Sequence, residues 1–122
     1  MRLIIGGKGQ GKREYAAAAW GLADGDFAET LEAARTARAL YAAENAVAAC
    51  VRAGESAEER FSELIDANPK LIVICDELGC GVVPVDAFER EWRERTGRVC
   101  CMLAKRAESV ERVLCGLAMR IK

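Results

Sequence analysis

Residues 4–16 read IIGGKGQGKREYA. Gly6, then Gly11 after four intervening residues, and then Lys12 reproduce the spacing of a phosphate-gripping loop. In such loops glycines let the backbone close around a phosphate, successive N–H groups face its oxygens, and the lysine adds a point charge. Gly6, Gly7, Lys8, Gly9, Gln10, Gly11, Lys12 and Arg13 are therefore the candidate nucleotide-binding residues, and Lys12 is a candidate catalytic one. Arg13 departs from the pattern. A working loop has serine or threonine here, whose hydroxyl ligates the magnesium bridging the phosphates, whereas a guanidinium carries donors only. Either another group holds the metal, or the loop binds nucleotide without turning it over.

The stretch CDELG, residues 75–79, offers that other group. Asp76 and Glu77 follow the apolar run KLIVIC and are placed like an acid pair that holds Mg²⁺ directly or through water. Both are candidate metal ligands, and Glu77 is a second candidate catalytic residue. Each feature has a plainer alternative: a glycine-rich turn without a ligand, and solvated or capping acids at a strand end.

These residues need elements to position them. Arg2 to Ile5 form a short apolar strand ending at Gly6-Gly7, and from Lys12 the spacing of Tyr15, Ala19 and Leu22 predicts one apolar helical face. A second helix is predicted from about Thr30 to Arg52, with Leu40, Ala43, Val47 and Val51 on one side and Gly54 just past its end. Ser56-x-x-Glu59 is a capping box opening a third helix, which buries Phe61, Leu64 and Ile65 and stops at Asn68-Pro69. Lys70 to Cys75 reads as a central parallel strand covered on both faces, because its apolar run does not alternate. Asp86 caps a long helix with Phe88, Trp92, Val99 and Leu103 on one side. Val110 to Cys115 is a further strand, and the alternating tail LAMRIK suits a half-exposed edge strand. Strands alternating with helices imply an α/β three-layer P-loop-type domain, with a small, mostly parallel sheet of about four strands. Ligands of such sheets sit at the carboxyl ends of the strands, where both motifs fall.

The 122 residues amount to one domain, 1–122, and 52% apolar content supplies a core. Net charge is −1, with no basic stripe or acidic tail to announce nucleic acid or a membrane surface. No apolar run suits a signal peptide or a bilayer span, so a cytoplasmic protein is expected. The six cysteines lack a Cys-x-x-Cys pair and the chain has no histidine, so they are expected to be small buried hydrophobes. An edge-bearing sheet with Phe88, Trp92 and the Val-Val-Pro segment near its surface predicts a homo-oligomer.

The block DELGCGVVPVDAFEREWRERTGRV, with the closing strand and RIK, resembles the C-terminal half of the adenosylcobinamide kinase / adenosylcobinamide-phosphate guanylyltransferase family of cobalamin biosynthesis. There the segment runs Asn-Glu-Val-Gly, a small residue, then Gly-(Ile/Val)-Val-Pro, and IIGGKGQGK resembles the family's N-terminal loop. The resemblance covers residues 1 to about 22 and 70 to 122, and nothing in 23–69 matches. It implies a nucleotide-binding enzyme, tending to assemble as an oligomer, that phosphorylates adenosylcobinamide with ATP or GTP and then transfers GMP from GTP to that phosphate. Gly6, Gly7, Gly11 and Lys12 fall on the family's phosphate loop, and Glu77 on its Asn-Glu glutamate, with Asp76 in place of the asparagine. The family passes GMP through a histidine and carries a separate strand-end aspartate, and neither has a counterpart here. The expected activity is therefore the kinase step, with Mg²⁺ and ATP or GTP, in preference to guanylyl transfer. The alternative is a catalytically inactive nucleotide-binding or regulatory protein of the same family.

Overall fold

A computed structural model of the chain describes residues 1–79 and 81–122. Six strands form one sheet in the order β2-β3-β4-β1-β5-β6. They are β1 (Arg2–Gly6), β2 (Phe27–Ala28), β3 (Ala39–Leu40), β4 (Ile72–Asp76), β5 (Ser109–Leu114) and β6 (Leu117–Arg120). All neighbours run parallel except β5 and β6, which form a hairpin. The helices are α1 (Lys12–Trp20), α2 (Leu31–Ala34), α3 (Ala43–Arg52), α4 (Ala57–Ala67) and α5 (Ala87–Arg106).

Strand alternation splits the core in two. Leu3, Val73, Cys75 and Val110 face one side and pack with Val47, Phe61, Leu64, Val99 and Leu103 of α3, α4 and α5. Ile4, Ile72, Ile74 and Val113 face the other and pack with Ala16 of α1 and Leu22. Three layers result, as the alternating pattern predicts. Phe61, fully buried on α4, contributes on the order of 3 kcal/mol of apolar burial. The Ser56 hydroxyl accepts from the Glu59 N–H, which is one half of the expected capping box, and the Asp86 carboxylate accepts from the Phe88 N–H as expected.

The helix expected over 30–52 is instead α2, β3 and α3 in succession. Ala39 and Leu40 are completely buried and pair with β2 and β4. The Asn68 side chain donates to the carbonyls of Ala34 and Ala37, satisfying the end of α2. Sheet pairing here overrides the helix propensity of an alanine-rich stretch, and with β2 it raises the strand count above the expected four. On α1 the buried face is Lys12 and Ala16, while Ala19 is exposed. The helix stops at Trp20 because Gly21 takes a left-handed conformation, leaving Leu22 beyond it. Of the cysteines, Cys50 and Cys75 are buried, Cys100 is half-buried, and Cys101 and Cys115 are exposed; Cys80 lies outside the described residues. Cys101 faces away from the core side of α5, and Cys115 occupies a turn.

Candidate functional site

β1 and β4 are adjacent and parallel, with Gly6 in register with Asp76. Both motifs therefore lie at one edge of the sheet, as parallel strands require. The Glu77 N–H donates to the Gly6 carbonyl at 2.9 Å, fastening the two loops together.

Residues 7–11 turn from β1 into α1. Gly11, the residue preceding the helix, sits at φ 87°, a left-handed conformation that favours glycine, and a Cβ there would lie 3.3 Å from Gly116 Cα. The close neighbour is the β5–β6 turn. Cys115 (φ 52°) and Gly116 (φ 75°) form its two left-handed central positions, the geometry of a tight hairpin turn. Its N–H groups clasp the loop: Cys115 donates to Gln10 Oε1 and Gly116 to the Gln10 carbonyl, each at 2.8 Å. The N–H groups of Lys8, Gly9, Gln10 and Gly11 have no partner of ordinary hydrogen-bond geometry among the described residues. A held loop with open amides at a helix N-terminus is suited to an anion.

Lys12 is only 5% exposed, and its ammonium lies 2.7 Å from the Gly7 carbonyl and 2.6 Å from Asp76 Oδ1. Beside this pair stands an acid that the sequence motifs did not single out. Glu44, at the start of α3, is 6% exposed, and its Oε2 accepts the Asp76 N–H at 2.9 Å. Burial raises its pKa above the ordinary 4.5, offset in part by the hydrogen bond from Asp76. The Trp92 indole N–H of α5 donates to the Glu44 carbonyl at 2.7 Å, so α5 braces the start of α3. Ala42, immediately before α3, holds a left-handed backbone at φ 54°, a strain of the kind that collects at functional sites. A cavity of about 660 Å³ opens over these groups, lined by residues 8–14, Tyr41, Ala42, Glu44, Asn45, Asp76, Leu78 and Trp92.

Glu77 is not in that lining. Its carboxylate takes two hydrogen bonds from the Arg112 guanidinium, at 2.9 and 3.0 Å, so consecutive acids diverge: Asp76 faces the cavity and Glu77 faces β5. Arg13 also turns aside. Its guanidinium sits 4.5 Å from the Phe27 ring centre and 5.3 Å from that of Tyr41, with Asp24 at 3.3 Å. The cation is held by aromatic faces and an exposed carboxylate at the cavity's edge. Among the described residues no cluster of three or more histidine, cysteine or acidic side chains forms a ready metal cage.

The sign of the Glu44 shift gives a test. Its folded pKa is raised, so its contribution to stability is complete below the unfolded value near 4.5 and is lost as pH rises through the folded value. Glu44→Gln keeps an oxygen to accept the Asp76 N–H and removes the charge. The difference in Tm between variant and parent is expected to move in the variant's favour as pH climbs from about 4.5. A difference that stays constant with pH contradicts the burial of a charge at this position.

The family model for cobinamide kinase / cobinamide phosphate guanyltransferase (CobU) matches residues 33–121. The chain belongs to that family. This cobinamide kinase / guanyltransferase family member is thus placed among transferases of cobalamin biosynthesis. The match takes in residues 33–69, where no resemblance was expected, and leaves the loop at 6–13 outside its span. The loop's assignment accordingly rests on its own geometry. Comparison with curated proteins gives no match. No helix among the described residues is long and apolar enough to cross a membrane.

Proposed function

We propose that this family member is a cytoplasmic kinase that binds ATP or GTP over residues 6–13 and passes the γ-phosphoryl group to the hydroxyl of adenosylcobinamide, in preference to guanylyl transfer. The observation that carries this reading is the buried Lys12 ammonium, held between the Gly7 carbonyl and the Asp76 carboxylate on the floor of the cavity. Triphosphate oxygens, shared with the loop amides and the helix N-terminus, are a partner that can replace Asp76 at this ammonium. Asp76 and Glu44 suit Mg²⁺ in kind, since that ion takes one or two carboxylates together with waters and phosphate oxygens. When bound, Mg²⁺ supplies charge neutralisation at the phosphates. Lys12 moves from Asp76 to the phosphates, the loop amides orient them, and Asp76 is left free to ligate. Glu77 holds Arg112 beside β1, supporting the loop from its far side. Phosphoryl transfer asks for little beyond such positioning and neutralisation.

Arg13 favours a second reading, nucleotide binding without turnover, because its guanidinium lies against Phe27 and Tyr41 where a hydroxyl ligand is usual. Incubation with γ-labelled ATP or GTP, Mg²⁺ and adenosylcobinamide separates the two. Label in the corrinoid establishes the kinase, and tight nucleotide binding with none in the corrinoid establishes the second reading.

Guanylyl transfer through a covalent enzyme adduct needs a nucleophile with a free lone pair near neutral pH, and this chain has no histidine. Lys12 is ion-paired, and none of the described cysteines lines the cavity. Incubation with α-labelled GTP and Mg²⁺ is expected to leave no label on the denatured protein. A stoichiometric adduct mapped to any residue would restore the guanylyltransferase reading.

We further propose a homo-oligomer. Leu117, Met119 and Ile121 alternate along the exposed edge and lie 72%, 49% and 61% exposed, a face large enough to seek cover. Sedimentation equilibrium is expected to give a multiple of the 13.2 kDa chain mass, and a monomer at high concentration contradicts this.

A further inference from the structure

The cysteine pattern of the sequence pointed to inert packing, yet two of these side chains meet behind the cavity. Cys75, on β4 one residue before Asp76, has its Sγ 3.6 Å from Cys100 Sγ on α5. Cys75 is 2% exposed, whereas Cys100 is half-buried and so within reach of a small solute. Of the two sulfurs, that of Cys100 is the more accessible, so an oxidant from solvent meets it first. The surroundings connect this pair to the site. Cys75 Sγ lies 3.5 Å from the Asp76 carbonyl oxygen. Trp92 stands eight residues before Cys100, on the same face of α5, and donates to Glu44, which in turn accepts the Asp76 N–H.

We propose that Cys75 and Cys100 form a reversible disulfide with hydrogen peroxide as oxidant, and that its closure displaces Asp76 and weakens nucleotide binding in the adjoining cavity. The second half rests on the nucleotide reading above, and the first stands without it. The Cys100 thiolate attacks one peroxide oxygen: an S–O bond forms, the O–O bond breaks, and hydroxide leaves as water after taking a proton. The sulfur of Cys75 then attacks that of the resulting sulfenic acid. An S–S bond forms, the S–O bond breaks, and the departing hydroxide leaves with the Cys75 proton as a second water. Two thiols lose two electrons and one peroxide gains them. Cys75 acts only from within, so its burial is no obstacle.

A disulfide requires sulfurs about 2.05 Å apart, so closure draws the two elements together by up to about 1.5 Å after side-chain rotation. β4 is clamped between β3 and β1, but its last residue, Asp76, is half-buried at the edge and only 2.6 Å from the Lys12 ammonium. Cys50 has no thiol neighbour among the described residues, and Cys101 and Cys115 are exposed. The pair at 75 and 100 is therefore the one set up for closure among them.

The experiment treats the reduced chain briefly with hydrogen peroxide, alkylates it, digests it, and maps cross-linked peptides by mass spectrometry, while calorimetry follows ATP binding before oxidation, after it, and after dithiothreitol. Expected are a Cys75–Cys100 linked peptide that dithiothreitol removes, and an ATP affinity that falls about tenfold, the weight of a weakened charge-assisted contact, and then recovers. Cys100→Ser is expected to bind ATP as the reduced parent does and to be unmoved by peroxide. Oxidation confined to Cys101 and Cys115 overturns the proposal, as does a linked peptide with unchanged ATP affinity or an equal fall in Cys100→Ser. If the reduced chain binds no ATP, the failure belongs to the proposed function, and the linked peptide alone decides whether the dithiol closes.

Discussion

Lys12→Ala is expected to lower affinity for ATP and GTP by about 10- to 100-fold, the worth of one charge-assisted hydrogen bond to phosphate. From the sequence alone this lysine would add a point charge and little packing, so its removal would leave the fold intact. The structure changes that expectation. Lys12 is buried, and its loss strands the Asp76 carboxylate, 21% exposed, without its partner. Breaking a buried pair costs more than the pair is worth, so the single variant is expected to lose stability as well. Adding Asp76→Asn removes the stranded charge. The double variant should regain stability without regaining nucleotide affinity, a split readable by thermal melts and calorimetry on the same samples. Nucleotide affinity that returns with the fold would show that Lys12 is structural only.

Gly6→Ala is expected to cost at least about 2 kcal/mol, because it forces a side chain into a packed site, and for a domain of this size that lowers Tm by roughly 8 °C or more. A Cβ on Gly6 would lie 2.4 Å from the Val113 carbonyl oxygen, which is backbone of the neighbouring strand and has no free torsion with which to retreat. The strands must part where β1, β4 and β5 meet at the loop, so the hydrogen bond from Glu77 to Gly6 is strained along with the sheet. Gly7→Ala is the control. Its Cβ would lie 3.5 Å from Gln10 Cγ, an ordinary contact with a flexible side chain, and a small change in Tm is expected. Equal losses for the two variants would contradict the steric account of the loop.

The strands that position the site were legible because their signals are local: the unbroken run at 70–75 needs two covered faces, and the glycine loop after Ile5 needs to turn. The caps at Ser56 and Asp86 were legible for the same reason, each being a side chain satisfying its own helix. The segment from Thr30 to Arg52 was not, since two-residue strands carry almost no periodicity and Ala39-Leu40 is ordered by β2 and β4, not by its own propensity. Asp76 and Glu77 looked equivalent in sequence. Their divergence depends on Arg112, 35 residues away, which neutralises Glu77. Glu44 was hidden because one acid in a helical stretch looks solvated, and only the break before α3 turns it inward. Its one available signal is position: an acid in the first turn of a helix that follows a buried strand lies at the sheet's ligand edge. Arg13 was recognised as unable to ligate a metal, but its aromatic partners Phe27 and Tyr41 come together only through the β2–β3 pairing.

The most direct test of the central claim, that the Lys12–Asp76 cavity receives a nucleoside triphosphate, is calorimetric titration of the chain with ATP and with GTP in the presence of Mg²⁺. One saturable site per chain for at least one nucleotide is expected, with affinity falling when Mg²⁺ is withheld. Absence of binding by both nucleotides, at concentrations where the chain remains folded, would contradict it.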